Sequence, residues 1–393
     1  MNNLISIIKF SLSYPKKKLR ILLFDYKYSI SKFSVKKIST QKKLLINFIK
    51  MDNYLLLENF IKTKKIEYLN ILLKNLTTVN FKKINLIYVY SYLVNIHQYR
   101  LANNYHTLLC KKIDQNNIFY FQICTLTQNN ITKLRIYSQT LKFNLIYFFL
   151  LYRDERNYIK TILELNYTQK QRCFKLEKKN FEFEKVLKDK RILIIGPLIN
   201  KLNLKKKDLI NSIIIRFKNN NFIKNPNLYP NIVYLNGTAS RQYFENKNFL
   251  SKGKNLIWVI YINKFFYKTY KQKDEFKKRF INNSSAILFS SFTELNLLQK
   301  TLLDLVLFKP KEIKLLNFNL KLTKKTQIGY GIHNNLSKQM KNNITFNHNQ
   351  IVMFDFIKFF YKKKITSLDN HLKRIIIGKK INYLKKLEKI WGK

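Results

Sequence analysis

The sequence predicts an α/β protein: a Rossmann-like, mostly parallel sheet with flanking helices, preceded by an all-α, helical-repeat-like domain. Three observations predict it. All seven glycines lie at or after Gly196, and Pro15 is the single proline before that point. Glycine and proline punctuate strands and tight turns, so a long stretch without them reads as helices joined by short polar loops. Within that stretch apolar residues recur at three- and four-residue steps, the helical period. After about residue 188 the texture changes to short, β-rich apolar runs separated by helical stretches.

In the first half, MDNYLLLENFIKTKKIEYLNILLKNL (51–76) carries an amphipathic helical pattern, which returns around 86–111 and 139–165. Helix pairs stacked as a loose, tetratricopeptide-like solenoid would account for it. No repeat of fixed period can be extracted. The charged stretch KLEKKNFEFEKVLKDKR (175–191) marks the boundary, with a helical domain over 1–185 and a Rossmann-like domain over 186–393.

In the second half, six runs read as strands: RILIIG (191–196), SIIIRF (212–217), NIVYLNG (231–237), NLIWVIYI (255–262), SAILFSS (285–291) and EIKLLNF (312–318). Most are continuously apolar rather than alternating, as expected of parallel strands covered on both faces. Between them TELNLLQKTLLDLVLF (293–308) places Leu295, Leu298, Leu302, Leu305 and Val306 on one helical face. Strands alternating with helices imply right-handed parallel crossovers. The tail KKINYLKKLEKIWGK (379–393) reads as a basic helix, either a solvated face or one that lies on anionic lipid.

Composition excludes some classes. With 31 Phe and 25 Tyr the 393-residue chain is no disordered polycation. Its formal charge is 75 − 22 = +53. Codons rich in adenine and thymine account for the abundance of Lys, Asn, Ile, Phe and Tyr; phosphate-rich partners or an anionic membrane surface are the competing account. Cys110, Cys124 and Cys173 form no CxxC pair, and an odd number of cysteines marks no secreted framework. The N-terminal apolar run precedes the charges, the reverse of a secretory signal. No apolar run reaches the roughly 20 residues that a spanning helix needs. A cytoplasmic location is the expectation, with the protein either soluble or peripherally bound to the inner membrane.

No GxGxxG or GxxxxGK[ST] string occurs, which disfavours dinucleotide oxidoreductases and P-loop enzymes. DxD near a strand end, HExxH and His/Cys ligand groupings are absent too, so no metal is expected. What remains is Gly196-Pro197 at the end of the first strand, where a glycine allows a sharp turn and a close approach to a ligand. His97 and His106 in the helical half, and His371 in the tail, read as surface or core groups.

The order of features carries a resemblance. Strand-Gly196-Pro197 followed by IIIRF with Arg216 resembles the large sialyl motif of the family-29 sialyltransferases, and especially their bacterial relatives in surface-polysaccharide gene clusters. YPNIVYLNG (229–237) is similar to the family's second nucleotide-contacting strand end, with Asn236 at its tip. LLDLVLFKPKEIKLLNFN (302–319) resembles the small motif, a helix running into a strand that ends in Gly-Phe. IGYGIHNN (328–335) and HNQIVMFDFIKFF (348–360) stand where the family has an aromatic motif and a terminal His motif, and SLD (367–369) follows. The resemblance covers about residues 189 to 378. It departs from the pattern at Asn317, which replaces the small-motif glycine, at Lys218, at Met353 in place of a Glu, and in the missing Thr-Gly pair of FTELN (292–296).

The resemblance implies metal-independent sugar transfer from a nucleotide-sugar, which could be CMP-linked, to a cell-surface glycan or its precursor. Gly196, Arg216 and Asn236 would contact the nucleotide, Tyr330 or His333 the leaving phosphate, and His348 would act as general base, since histidine titrates near neutral pH. No cofactor beyond the donor is expected. The departures leave open a degenerate, inactive transferase. The alternative from another class is a basic RNA-binding or ribosome-associated protein of an AT-rich genome or organelle, although no RNP1-like string or GxxG loop occurs.

Overall fold

The computed structural model describes residues 38–78, 83–112, 178–196, 209–217, 228–236, 255–262, 276–281, 295–322 and 349–392, with positions 139, 198 and 204. The helical region comprises α1 (Ile38–Ile49), α2 (Met51–Thr63), α3 (Ile66–Thr78), α4 (Lys83–Asn95) and α5 (Tyr99–Lys112). The pattern over 51–76 is thus two helices. They break at Lys64, which takes φ 62° and donates its backbone N–H to Phe60 O. The pattern over 86–111 breaks at His97, with φ 59°. Left-handed backbone at a non-glycine residue costs about 1–2 kcal/mol, offset here by packing. Helix α1 packs on α2 and α4, α2 on α3, and α3 and α4 on α5.

Helix α6 (Lys178–Leu187) leads into the sheet. Its strands are β1 (Arg191–Ile195), β2 (Ser212–Phe217), β3 (Ile232–Leu235), β4 (Trp258–Tyr261), β5 (Lys277–Phe280), β6 (Glu312–Leu316) and β7 (Thr366–Leu368). All pair in parallel, in the order β5-β4-β3-β2-β1-β6-β7. The chain therefore starts in the interior, winds outward through β2 to β5, and returns to the other side of β1 with β6.

The continuously apolar strands are buried on both faces. Ile192 and Ile194 of β1 join the main core, while Leu193 and Ile195 pack with Ile214 and Leu316 on the opposite face. Helix α7 (Leu297–Val306) covers the first face, with the expected Leu298, Leu302, Leu305 and Val306 all buried. Helix α8 (Gln350–Lys362) leads into β7, followed by α9 (Asn370–Ile377) and α10 (Lys380–Trp391). Because α7 and α8 each feed a parallel strand through a short turn, both begin near the carboxyl edge of the sheet.

Two strands escaped the sequence reading. Strand β5, KKRF, carries three cations, and β7 is only three residues long. The run expected as a strand at 285–291 lies outside the described residues, as do 139–165 apart from position 139. Arg279 of β5 is buried in a polar network. Its Nη1 lies 2.6 Å from Asp304 Oδ2, its Nε donates to Asn180 Oδ1 at 2.9 Å, and Tyr234 Oη donates to the same Asp304 oxygen at 2.8 Å. Its guanidinium also sits 4.8 Å from the centroids of both Phe183 and Phe308. The network ties α6 and α7 to the β3–β5 side.

The two halves share one continuous core. Buried Asn349 donates to Tyr90 Oη in α4 at 2.7 Å, and α10 packs on α5. There Glu388 accepts from Arg100 Nε at 2.5 Å and from its backbone N–H at 2.8 Å. Among the described residues no helix is long and apolar enough to cross a membrane. Cys110 at the end of α5 is disulfide-bonded. Three cysteines without a CxxC spacing gave no sign of this.

Candidate functional site

In an open parallel sheet the connections leave the carboxyl ends in opposite directions at the point where strand order reverses, which opens a crevice there. That point lies between β1 and β6. Gly196 continues β1 by one residue and donates its N–H to Leu316 O at 2.7 Å. A Cβ at Gly196 would lie 2.5 Å from Asn317 O and 2.8 Å from the Phe318 ring. The close approach that this glycine permits is therefore made by the chain's own exit from β6.

That exit is held from several sides. Asn317 takes φ 58°, left-handed backbone that glycine and asparagine tolerate best. Its N–H donates to Asp369 Oδ2 at 2.7 Å, while Asp369 Oδ1 accepts from Leu372 N as the cap of α9, also at 2.7 Å. Both Asp369 oxygens thus serve main-chain amides, a structural use of the carboxylate. Beyond it Leu320 and Lys321 are also left-handed, with φ 49° and 65°. Their carbonyls accept from Tyr383 Oη and Trp391 Nε1, each at 2.9 Å. Burial holds the Lys321 ammonium below its usual pKa and raises the Tyr383 phenol well above its own.

On the other side of β1, Arg216 pairs in register with Ile195 and Val233, one residue from the end of β2. It is 2 % exposed and shares its sheet face with Ile195 and Ile214. A guanidinium buried on such a face is tolerated only where polar groups surround it. Asn236 directly follows β3 and is half-buried. Gly196 and Asn236 thus directly follow β1 and β3, and Arg216 stands one residue inside the end of β2 between them, three register positions short of Asn236. The other three residues expected at the site, Tyr330, His333 and His348, lie outside the described residues.

The starts of α7 and α8 meet near this edge. Asn296 and Gln299 form a reciprocal capping box on α7, with both bonds at 3.0 Å. Asn349 Oδ1 accepts from Ile351 N at 3.0 Å and Val352 N at 3.4 Å to cap α8. The α7 cap touches the first turn of α8 through Asn296 Nδ2, which donates to Met353 Sδ at 3.4 Å. The position where the resemblance expects a glutamate is thus a buried thioether against a helix cap.

The remaining histidines divide. His97 and His106 are buried in the helical half, His97 with Nδ1 3.0 Å from Tyr99 Oη, while His371 is exposed. Among the described residues no group of three or more His, Cys, Asp or Glu side chains could hold a metal ion. Sequence reasoning missed the clamp formed by Asp369, Asn317 and Phe318 over Gly196. Its one legible sign was the Asp of SLD. Comparison of the chain with protein-family models, curated proteins and solved structures gave no match.

Proposed function

We propose that the chain is a sialyltransferase-like glycosyltransferase that moves a sugar from a nucleotide-sugar, CMP-linked by resemblance, to a cell-surface glycan or its precursor. The observation that carries this reading is that Gly196, Arg216 and Asn236 lie at, or within one residue of, the carboxyl ends of the neighbouring strands β1, β2 and β3, on the flank of the reversal of strand order. A second observation supports it. Asn317, standing for the small-motif glycine, has the left-handed backbone for which a glycine would be used. In this reading Arg216 and Asn236 face the nucleotide, and Gly196 acts indirectly by letting the β6 exit cross the end of β1. His348 takes the acceptor proton, and Tyr330 or His333 steadies the leaving phosphate. The helical half, read as repeat-like, would present the acceptor or hold the enzyme near it.

Titration calorimetry with CMP, UMP and AMP, followed by donor hydrolysis with CMP-sugars, tests the reading. Wild type is expected to bind one nucleotide selectively. Asn236→Ala should weaken binding about tenfold, the loss of roughly one hydrogen bond to a partly charged group. His348→Ala should bind normally and lose turnover by about 10²–10⁴-fold. A wild-type protein that binds none of the nucleotides would end the proposal. The net charge of +53 favours RNA binding as the second reading. Retention on RNA that falls steeply with salt, without nucleotide selectivity, would favour it.

A further inference from the structure

We propose that the outer surface of α9 and α10 docks the protein on an anionic lipid bilayer. The inference is independent of the transferase reading. Residues 370–392 hold seven basic side chains, Lys373, Arg374, Lys379, Lys380, Lys385, Lys386 and Lys389, against one acid, Glu388. Lys380 is committed to Asp355 at 2.5 Å, and Glu388 to Arg100, so the exposed charge of the segment is uniformly positive. The other six cations are all exposed.

The mode differs from that of a helix lying with its apolar side in the membrane. The apolar side of α10 is already used: Tyr383, Leu384 and Leu387 are buried, and Trp391 Nε1 is bonded to Lys321 O. What faces outward is the polar side, with two isoleucines at the corner between the helices. Ile377 is 59 % exposed and Ile381 is 40 % exposed. They sit four residues apart, flanked by Arg374, Lys379 and Lys385. Bare isoleucine on a water-facing surface gains by entering the acyl boundary, while the surrounding cations gain from the negative potential of anionic headgroups.

That pairing of apolar corner and cations selects lipid over nucleic acid. Single-stranded nucleic acid is held by exposed aromatic rings on which bases stack. The large aromatic rings of this segment are Tyr383, which is buried, and Trp391, half-buried with its indole N–H engaged, which leaves the small imidazole of His371 as the segment's one exposed ring.

The test is co-sedimentation of the full chain with vesicles of phosphatidylcholine alone, or with about a third phosphatidylserine or phosphatidylglycerol. With a net charge of +53, general attraction to anionic vesicles is expected, so the decisive comparison is local. The triple reversal Lys385→Glu/Lys386→Glu/Lys389→Glu should weaken partitioning at least about a hundredfold, from about fivefold per cation. The same reversals at exposed Lys50, Lys62 and Lys65 in the helical half should change it far less. Ile377→Gln/Ile381→Gln, which keeps every charge, should weaken it about tenfold. Equal losses in the two triple reversals, or no effect of the isoleucine pair, would overturn the proposal. So would a charge triple that loses retention on RNA while keeping vesicle binding. Should the charge triple fail to fold by circular dichroism, Lys→Gln at the same three positions decides the matter.

Discussion

Replacing Gly196 with alanine separates two reasons for having a glycine at that position. A non-bonded carbon normally approaches a carbonyl oxygen no closer than about 3.3 Å. The added methyl would stand 2.5 Å from Asn317 O and 2.8 Å from the Phe318 ring, short of contact distance on both sides. The oxygen cannot retreat easily, because the Asn317 N–H is held by Asp369 and Gly196 itself is bonded to Leu316 O. Overpacking of this kind costs about 1–3 kcal/mol. The entropy that alanine removes from the unfolded chain returns only about 0.4–1 kcal/mol. The clash wins, and a net loss of about 1.3 kcal/mol is expected. With a urea slope of about 2 kcal/mol/M, the midpoint falls by roughly 0.6 M. Adding Phe318→Ala clears the ring and leaves the carbonyl clash, so it cannot restore wild-type stability. Were the glycine present only for a ligand's approach, Gly196→Ala would denature at the wild-type midpoint and lose nucleotide affinity alone. An unchanged or raised midpoint refutes the packing account.

Three other outcomes follow from the same geometry. Asp304→Ala removes the carboxylate that balances the buried guanidinium of Arg279 and should cost about 3–5 kcal/mol in denaturant unfolding, whereas Arg279→Met/Asp304→Leu should recover much of the loss. Asn317→Gly should be neutral or stabilising, while Asn317→Ala should cost about 1–2 kcal/mol because of its left-handed backbone. Since the folded chain disfavours the Lys321 ammonium, the unfolded chain binds that proton more tightly, and stability rises as pH climbs from the lowered pKa toward the ordinary 10.5. Lys321→Met should therefore be the more stable protein at neutral pH, with the gap closing above pH 10.5 when unfolding is followed across the alkaline range.

The parallel sheet was legible because its inner strands are dry on both faces. RILII, SIIIRF, IVYL, WVIY and EIKLL leave little room for polar side chains. Strand β5 broke that rule, since Arg279 is neutralised by Asp304 and Lys277 by Glu182, partners 25 and 95 residues away that no local pattern reveals. The helix breaks at Lys64 and His97 were hidden for a related reason. Tertiary packing imposed left-handed backbone on residues that do not advertise it. At the candidate site, Gly196 announced a close approach but not what approaches. The answer depended on Asn317 and Phe318, which only the winding order brings to the end of β1.

The shared core of the helical and sheet regions has a consequence for how the protein comes apart. Asn349 reaches Tyr90 across the junction and Glu388 grips Arg100, so neither region presents a finished surface without the other. Calorimetry should accordingly record a single endotherm, and a protease should find no cut that releases one durable fragment. Opening the molecule between the two regions like a jaw would tear its hydrophobic interior.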